Sequence, residues 1–279
     1  MAWSPDFVVS DVDGTLLNSR ERVTARTREA VRGLSAMGIT FTMASGRPAR
    51  WLLPVLDQLP VRPVCVCANG AVIYDSDADR ITHAFTLSPD VLAQVTDVLS
   101  TLGGDAATGT PSFGVERAGS SAFGEGDGPL FAVSGSYDHA WLSDEHAEES
   151  MEELVATPAV KLLVRNPNVS SRELYEQVRP LVDPELAEVT FSWGGGLVEV
   201  SAPGISKRSA LEWITADQRV AARDVLAFGD MPNDVDMLRW AGLGVAMENA
   251  APEAKAAADE LTASNEDDGV AAVLERYLI

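Results

Sequence analysis

The chain is short of cysteine, of positive charge and of long apolar runs, and each shortage removes a class of protein. Only two of its 279 residues are cysteine, so no disulfide framework holds it, and with 46% apolar residues it can bury a core that needs no staples. Cys65 and Cys67 lie two apart in Val64-Cys65-Val66-Cys67-Ala68, on one face of an expected strand. No second Cys or His pair completes a tetrahedral metal site, so they read as reduced core thiols, which points to the cytoplasm. No stretch approaches the roughly 20 apolar residues that cross a bilayer, and no basic segment followed by an apolar one opens the chain, so neither membrane insertion nor secretion is expected. Basic residues number 21 against 42 acidic, a formal charge of −21, which opposes nucleic acid and anionic lipid. The same field repels phosphate. Screening over about 8 Å at physiological salt still lets a few local cations govern one pocket, so a phosphate site in this chain must carry its own positive charge.

What is present has an α/β rhythm. Phe7-Val-Val-Ser10 is an apolar run that ends in Asp11-Val-Asp-Gly-Thr15, a buried strand entering a polar loop. A helix follows, capped by Thr24, with Ala30, Val31 and Leu34 at helical spacing and Gly38 beyond its end. Ile39 to Ala44 is a second strand running into Ser45-Gly46-Arg47 and a helix to about Leu56; Val64 to Ala68 is a third, closing on Asn69-Gly70. Strands alternating with helices predict a parallel sheet whose ligand site lies beyond the carboxyl ends of the strands, where all three polar clusters fall.

The middle of the chain changes character. Ser88-Pro-Asp90 starts a helix through Leu102, and Gly103 to Gly128 is rich in Gly, Ser and Thr and reads as loop or weak strand. Val160 to Val164 is a strand and Ser171 to Val182 a helix; Glu188–Trp193 and Leu197–Ser201 form a hairpin across Gly194-Gly-Gly196. The acidic run Asp144 to Glu153 is a solvated helix face or loop. After Pro203 the α/β rhythm returns: a helix from Lys207, a strand Asp224 to Phe228, the loop Gly229-Asp-Met-Pro-Asn-Asp234, a helix 234–241, a strand Leu243 to Ala246, a surface helix within 253–260 and a closing helix from Gly269. The expectation is an α/β, Rossmann-like doubly wound parallel-sheet core, residues 1–83 and 203–279, with an inserted α+β module at 84–202.

Asp11 and Asp13 are two residues apart, with Gly14 allowing a sharp turn. Asp-x-Asp-Gly also opens a calcium loop, but Arg22 stands at its twelfth position where a bidentate Glu is required. Ser45, Lys207 and the group Asp230, Asn233, Asp234 come from other strand or helix ends. Each alone is an ordinary turn, surface or helix-start residue. Jointly they bring acids, a hydroxyl and a cation to one sheet edge.

These stretches resemble the haloacid dehalogenase superfamily of phosphohydrolases, in the Cof-like branch that carries a large (type IIB) cap. The resemblance rests on Asp11-Val-Asp-Gly-Thr15-Leu-Leu, Ala44-Ser-Gly-Arg47, Asn69-Gly-Ala71, Val200-Ser-Ala-Pro-Gly-Ile-Ser-Lys207 and Gly229-Asp-Met-Pro-Asn-Asp234, supported by Gly244-Val-Ala-Met-Glu-Asn-Ala250 and Ser264-Asn-Glu-Asp-Asp-Gly269. It keeps the family's order across almost the whole chain and leaves only the cap unmatched. It implies a phosphatase that hydrolyses a small phosphorylated metabolite, a sugar phosphate or similar monoester, through an aspartyl phosphate. In that scheme Asp11 is the nucleophile, and the Asp13 side chain is general acid and then base. Ser45 bonds the phosphoryl oxygens, and Lys207 pairs with phosphate and Asp11. Mg2+ falls to Asp11, Asp13 (through its backbone carbonyl), Asp230 and Asp234, with Asn233 in support. Gly14, Thr15, Gly46, Arg47 and Asn69 complete the phosphate and substrate contacts.

The physical chemistry agrees with that implication. Four carboxylates beside a dianionic phosphate repel it and one another unless a cation lies among them, and oxygen donors suit magnesium. Asp13 matters because an alkoxide leaving group needs a proton that a halide does not. Ser45 stands where threonine is frequent and keeps the hydroxyl; Arg208 stands where glycine is frequent and adds charge beside Lys207. A phosphomutase or phosphotransferase of the same superfamily is the rival enzyme, and a phospho-accepting regulatory domain a remoter one. The partner is a small phosphorylated metabolite, with no nucleic acid or membrane, and the chain is a monomer or homodimer. The cap is expected to hinge near 83–86 and 201–204.

Several residues are set aside. His83, His139 and His146 lack ligand spacing. Gly242-Leu-Gly244 lacks the third glycine of a dinucleotide fingerprint. Trp141, Trp193 and the glycines at 194–196 read as packing residues of the cap before substrate contacts.

Overall fold

A computed structural model describes residues 3–103, 109–124, 128–135, 137–139, 145–192 and 194–278. The chain divides into two compact units, Met1–Thr82 with Ser206–Ile279, and His83–Ile205.

The first unit is built in chain order from β1 (Phe7–Ser10), α1 (Ala25–Ala36), β2 (Thr40–Met43), α2 (Ala49–Leu56), β3 (Val64–Cys67), β4 (Val72–Asp75) and β5 (Arg80–Ala84, whose last two residues pass into the second unit). Thr24 caps α1 by accepting from the Thr27 N–H, as its sequence predicts. The sequence reading had no elements at β4 and β5. Both are short, and β4 returns antiparallel on β3 after the left-handed residues Ala68 and Asn69 reverse the chain. Cys65 and Cys67 are buried free thiols, and burial pushes Cys65 up to about 12, which keeps it an inert thiol at neutral pH.

The second unit contains α3 (Pro89–Leu99), β6 (Ser112–Glu116), β7 (Phe131–Ser134), β8 (Ala147–Glu149), α4 (Met151–Ala156), β9 (Lys161–Arg165), α5 (Ser171–Val178), β10 (Glu188–Thr190) and β11 (Leu197–Ser201). Its sheet runs β10-β11-β9-β6-β7-β8, antiparallel except for β7 with β8. One face packs Phe113, Val115, Leu162, Val164, Val198 and Val200 against Leu92, Val95 and Leu99 of α3, Leu154 of α4 and Leu174 and Val178 of α5.

Three stretches that the sequence described loosely take definite form here. Part of the stretch read as loop or weak strand is β6, five buried residues in the middle of the sheet; residues 104–108 and 125–127 of that stretch lie outside the described residues. Ser112 and Gly114 hide its period, and Gly114 fits because a Cβ there would lie 3.2 Å from Val133 Cγ1. The acidic run holds an edge strand, β8, and a helix started by a Ser150–Glu153 capping box, while Asp144 is outside the described residues. Glu149 of β8 makes a bidentate pair with the buried Arg117 at 2.8 and 3.2 Å. Gly194 to Gly196 close on the unit's own backbone: the Gly195 and Gly196 carbonyls accept from Arg165 Nη1, and Ser171 Oγ accepts from the Gly196 and Leu197 N–H groups. Trp141 and Trp193 lie outside the described residues.

The chain returns to the first unit as α6 (Lys207–Gln218), β12 (Val225–Gly229), α7 (Val235–Trp240), β13 (Leu243–Ala246), α8 (Pro252–Ala257), β14 (Glu260–Leu261) and α9 (Gly269–Leu274). Its sheet runs β14-β13-β12-β1-β2, every pair parallel, and β3 joins β2 through an Ala44–Val66 bridge. β1 is flanked by β2 on one side and β12 on the other, so its carboxyl end is the switch point at which such sheets bind ligands. Both faces of β1 and β12 are buried, which is why their sequences are unbroken apolar runs. No helix among the described residues is long and apolar enough to cross a membrane.

Candidate active site

The ends of β1 and β12 are held in register past the strands, the Asp11 N–H donating to the Phe228 carbonyl at 2.9 Å. The two loops therefore leave side by side. After β1 the chain turns at Gly14, whose φ of +77° is left-handed and whose Cβ, if present, would sit 2.4 Å from Asp230 Oδ2. Thr15 Oγ1 then donates to Asp230 Oδ1 at 2.8 Å. Two residues without an assigned role in the sequence secure this loop: Asn249 Nδ2 donates to the Gly14 carbonyl at 2.8 Å and Asn265 Nδ2 to the Leu17 carbonyl at 2.9 Å. Their only sequence signal is the pair of supporting motifs at 244–250 and 264–269.

Lys207 is the first residue of α6, capped by Ser206, and is 1% exposed. Its ammonium donates to Asp11 Oδ1 and, at 2.7 Å, to Asp234 Oδ1. Asp234 is fully buried, and its Oδ2 accepts from the Asp230 and Met231 N–H groups at 3.0 and 2.9 Å. It thus fastens Lys207 to the β12 loop. Carboxylate oxygens of Asp11, Asp230 and Asp234 lie within 4.8 Å of one another.

Three buried carboxylates face one ammonium, and the imbalance appears in their proton affinities. Burial pushes Asp11 well above the usual carboxylate range; Lys207 pulls it down, and Asp234, Asp230 and Asp13 push it up again. Burial and then Asp234 push Asp230 up to about 7, against the Thr15 bond and Lys207. Burial opposes the charge of Lys207, but Asp11 and Asp234 outweigh it and raise its pKa, so it stays an ammonium. Oxygen donors carrying this excess negative charge fit a hard divalent cation. Asn233 Oδ1, a buried acceptor with no partner among the described residues, adds one more donor of the same kind.

A second group borders the first. Arg47 Nε and Nη2 donate to Asp13 Oδ2 and Oδ1 at 2.8 and 2.5 Å. Ser45 Oγ accepts from the Arg47 N–H at 3.0 Å, with Gly46 between them, and Ser45 is buried. Asn233 Nδ2 donates to Asn69 Oδ1 at 2.9 Å. Asn69 is held there by Gly70, whose φ is +105° and whose Cβ would be 2.1 Å from the Ser206 carbonyl. Asp11, Thr15, Lys207, Asp230 and Asp234 thus form one bonded group, and Asp13, Ser45 and Arg47 another. Arg208 stays out: it pairs with Glu212 at 2.9 Å on the half-exposed face of α6 and adds no charge to the site.

The family model for haloacid dehalogenase-like hydrolases matches residues 8–274. Among curated proteins, the chain is 28% identical to the 5-amino-6-(5-phospho-D-ribitylamino)uracil phosphatase YcsE of Bacillus subtilis, over 98% of this chain and 96% of that one. Among solved structures, a haloacid dehalogenase-like hydrolase of Bacteroides thetaiotaomicron superposes with a TM-score of 0.72 at 25% identity, covering 98% and 99% of the two chains. The subclass IIB sugar phosphatase BT4131 superposes with a TM-score of 0.76 at 21% identity, covering 98% and 99%, a likeness of fold. The chain belongs to the haloacid dehalogenase-like hydrolases, in their Cof-like phosphatase branch.

Proposed function

We propose that this chain is a Mg2+-dependent phosphatase of small phosphorylated metabolites, sugar phosphates or similar monoesters, working through an aspartyl phosphate, an acyl phosphate of Asp11. One observation carries the reading: Lys207 bonds Asp11 and Asp234 while Asp230 stands beside them, a buried acid group one cation short. Asp11, Asp230 and the backbone carbonyl of Asp13 would hold the ion, with Asp234 and Asn233 in support of it, and the ion when bound would neutralise charge on the phosphoryl group. Lys207 takes one oxygen of Asp11, and the other attacks phosphorus. As that bond forms, the bond to the leaving oxygen breaks and Asp13 supplies its proton. Water then attacks phosphorus, gives its proton to Asp13 and releases inorganic phosphate and free Asp11. Lys207 and the Ser45 hydroxyl face the charge that gathers on the phosphoryl oxygens in both steps.

Relatives support the substrate class in words only: YcsE is named for a phosphorylated ribitylaminouracil, a hydroxyl-rich monoester. The test is rapid acid quenching with a radiolabelled phosphomonoester. Label should appear on the wild-type protein and not on Asp11→Asn, with phosphate release lost in that variant and in Asp13→Asn. Label retained on Asp11→Asn, or phosphate transferred to an added sugar in place of water, contradicts the reading.

A further inference from the structure

The resemblance sets Arg47 beside the substrate, yet its guanidinium is committed to the protein. Nε and Nη2 grip both oxygens of Asp13, Nη1 donates to the Trp51 carbonyl at 3.3 Å, and Nη2 also lies 3.5 Å from Glu21 Oε1. The backbone beneath is fixed as well, because its N–H bonds Ser45 Oγ and its carbonyl accepts from the Ala68 N–H at 2.9 Å. The side chain of Arg47 is 18% exposed and that of Asp13 56%, so the clamp is shielded and the carboxylate it holds stands open.

We infer that Arg47 is the positioning residue of the proton-transfer carboxylate, and not a contact of the substrate phosphate. This rests on the reading of Asp13 as acid and base. A planar fork bonded to both oxygens fixes the plane and rotamer of a carboxylate as a single-point cation does not. Each carboxylate oxygen has two lone-pair sites, and the fork takes one on each. The outer pair on each oxygen is left, aimed away from Arg47, and a proton held there passes to the leaving oxygen or comes from water while the fork stays closed. Glu21, 78% exposed, is a third partner of the same cation, 3.5 Å from the Nη2 that also bonds Asp13.

The role predicts a dependence on leaving group. Breaking a bond to an alkoxide needs the proton of Asp13, whereas nitrophenolate leaves without one. For Arg47→Gln, kcat/KM for a sugar phosphate should fall about 100-fold, while that for p-nitrophenyl phosphate falls less than about fivefold. Arg47→Lys, which keeps the charge and loses the fork, should shift the ratio the same way. In Asp13→Asn, where slow labelling of Asp11 by the sugar phosphate is followed in a single turnover, adding Arg47→Gln should cost almost nothing further. Equal losses on the two esters would make Arg47 a phosphate contact, and additive losses in the double variant would separate it from Asp13; either overturns the inference. Failure of the phosphatase reading shows earlier and differently, as a wild-type enzyme that hydrolyses neither ester or an Asp13→Asn variant that cleaves the sugar phosphate normally.

Discussion

At the residue scale, the proposed metal ion would compete with a proton for Asp230. Its carboxyl is pushed up to about 7 by burial and by Asp234. Below that pH, cation binding must expel a proton, so apparent Mg2+ affinity should weaken as pH falls, by up to about tenfold per pH unit for one proton. Calorimetric titration on either side of neutrality checks this, and a flat affinity would show that Asp230 is not a ligand. Gly14 gives a second expectation. Alanine there suffers a left-handed φ of +77° and a Cβ 2.4 Å from Asp230 Oδ2, a strain of about 1–3 kcal/mol. Gly14→Ala should therefore lower the urea midpoint and weaken Mg2+ binding together; a variant that keeps both would mean the two loops are looser than the distance implies. The candidate site residues could be proposed from their motifs, but their partners could not. Thr15 bonds Asp230, 215 positions away, and Arg47 grips Asp13, contacts that follow from where loops meet and leave no local pattern.

At the scale of elements, the core strands were readable because both their faces are buried. β1 and β12 are apolar runs ending in acids, and the periodicity of α1 and its Thr24 cap gave that helix nearly residue by residue. β6 was readable only as loop or weak strand, since its place between β9 and β7 excludes water from Ser112, Gly114 and Glu116 whatever their polarity. β8, too, is a strand because β7 offers it an edge. These later strands depend on Arg117, which is 4% exposed at its side chain and ties Glu149 of β8 to the Pro129 and Leu154 carbonyls. Arg117→Met should cost about 3–5 kcal/mol, because it strands a carboxylate and two carbonyls in a poorly hydrated setting. Chemical denaturation would show it, and a change under 1 kcal/mol would place the pair in effectively open solvent.

For the whole molecule, the acid group couples stability to pH and, on the proposed reading, to metal. Asp11 and Asp230 have folded-state pKa values above the ordinary 3.8. Their contribution to stability is fully present below that value and is lost as pH rises through the folded pKa, about 7 for Asp230. The metal-free protein should thus gain more from Mg2+ at about pH 7.5 than at about pH 5.5, read as the rise in Tm on adding the ion. An equal rise at both would detach the acids from the stability of the fold. The sequence by itself determined the α/β rhythm, the order of the motifs and the candidate residues of the site, because buried parallel strands and the polar turns after them are local patterns. Tertiary structure alone decided which charges meet. Lys207 lies 196 positions from Asp11, and only the parallel register of β1 and β12, with α6 packed beside them, sets its ammonium between two acids.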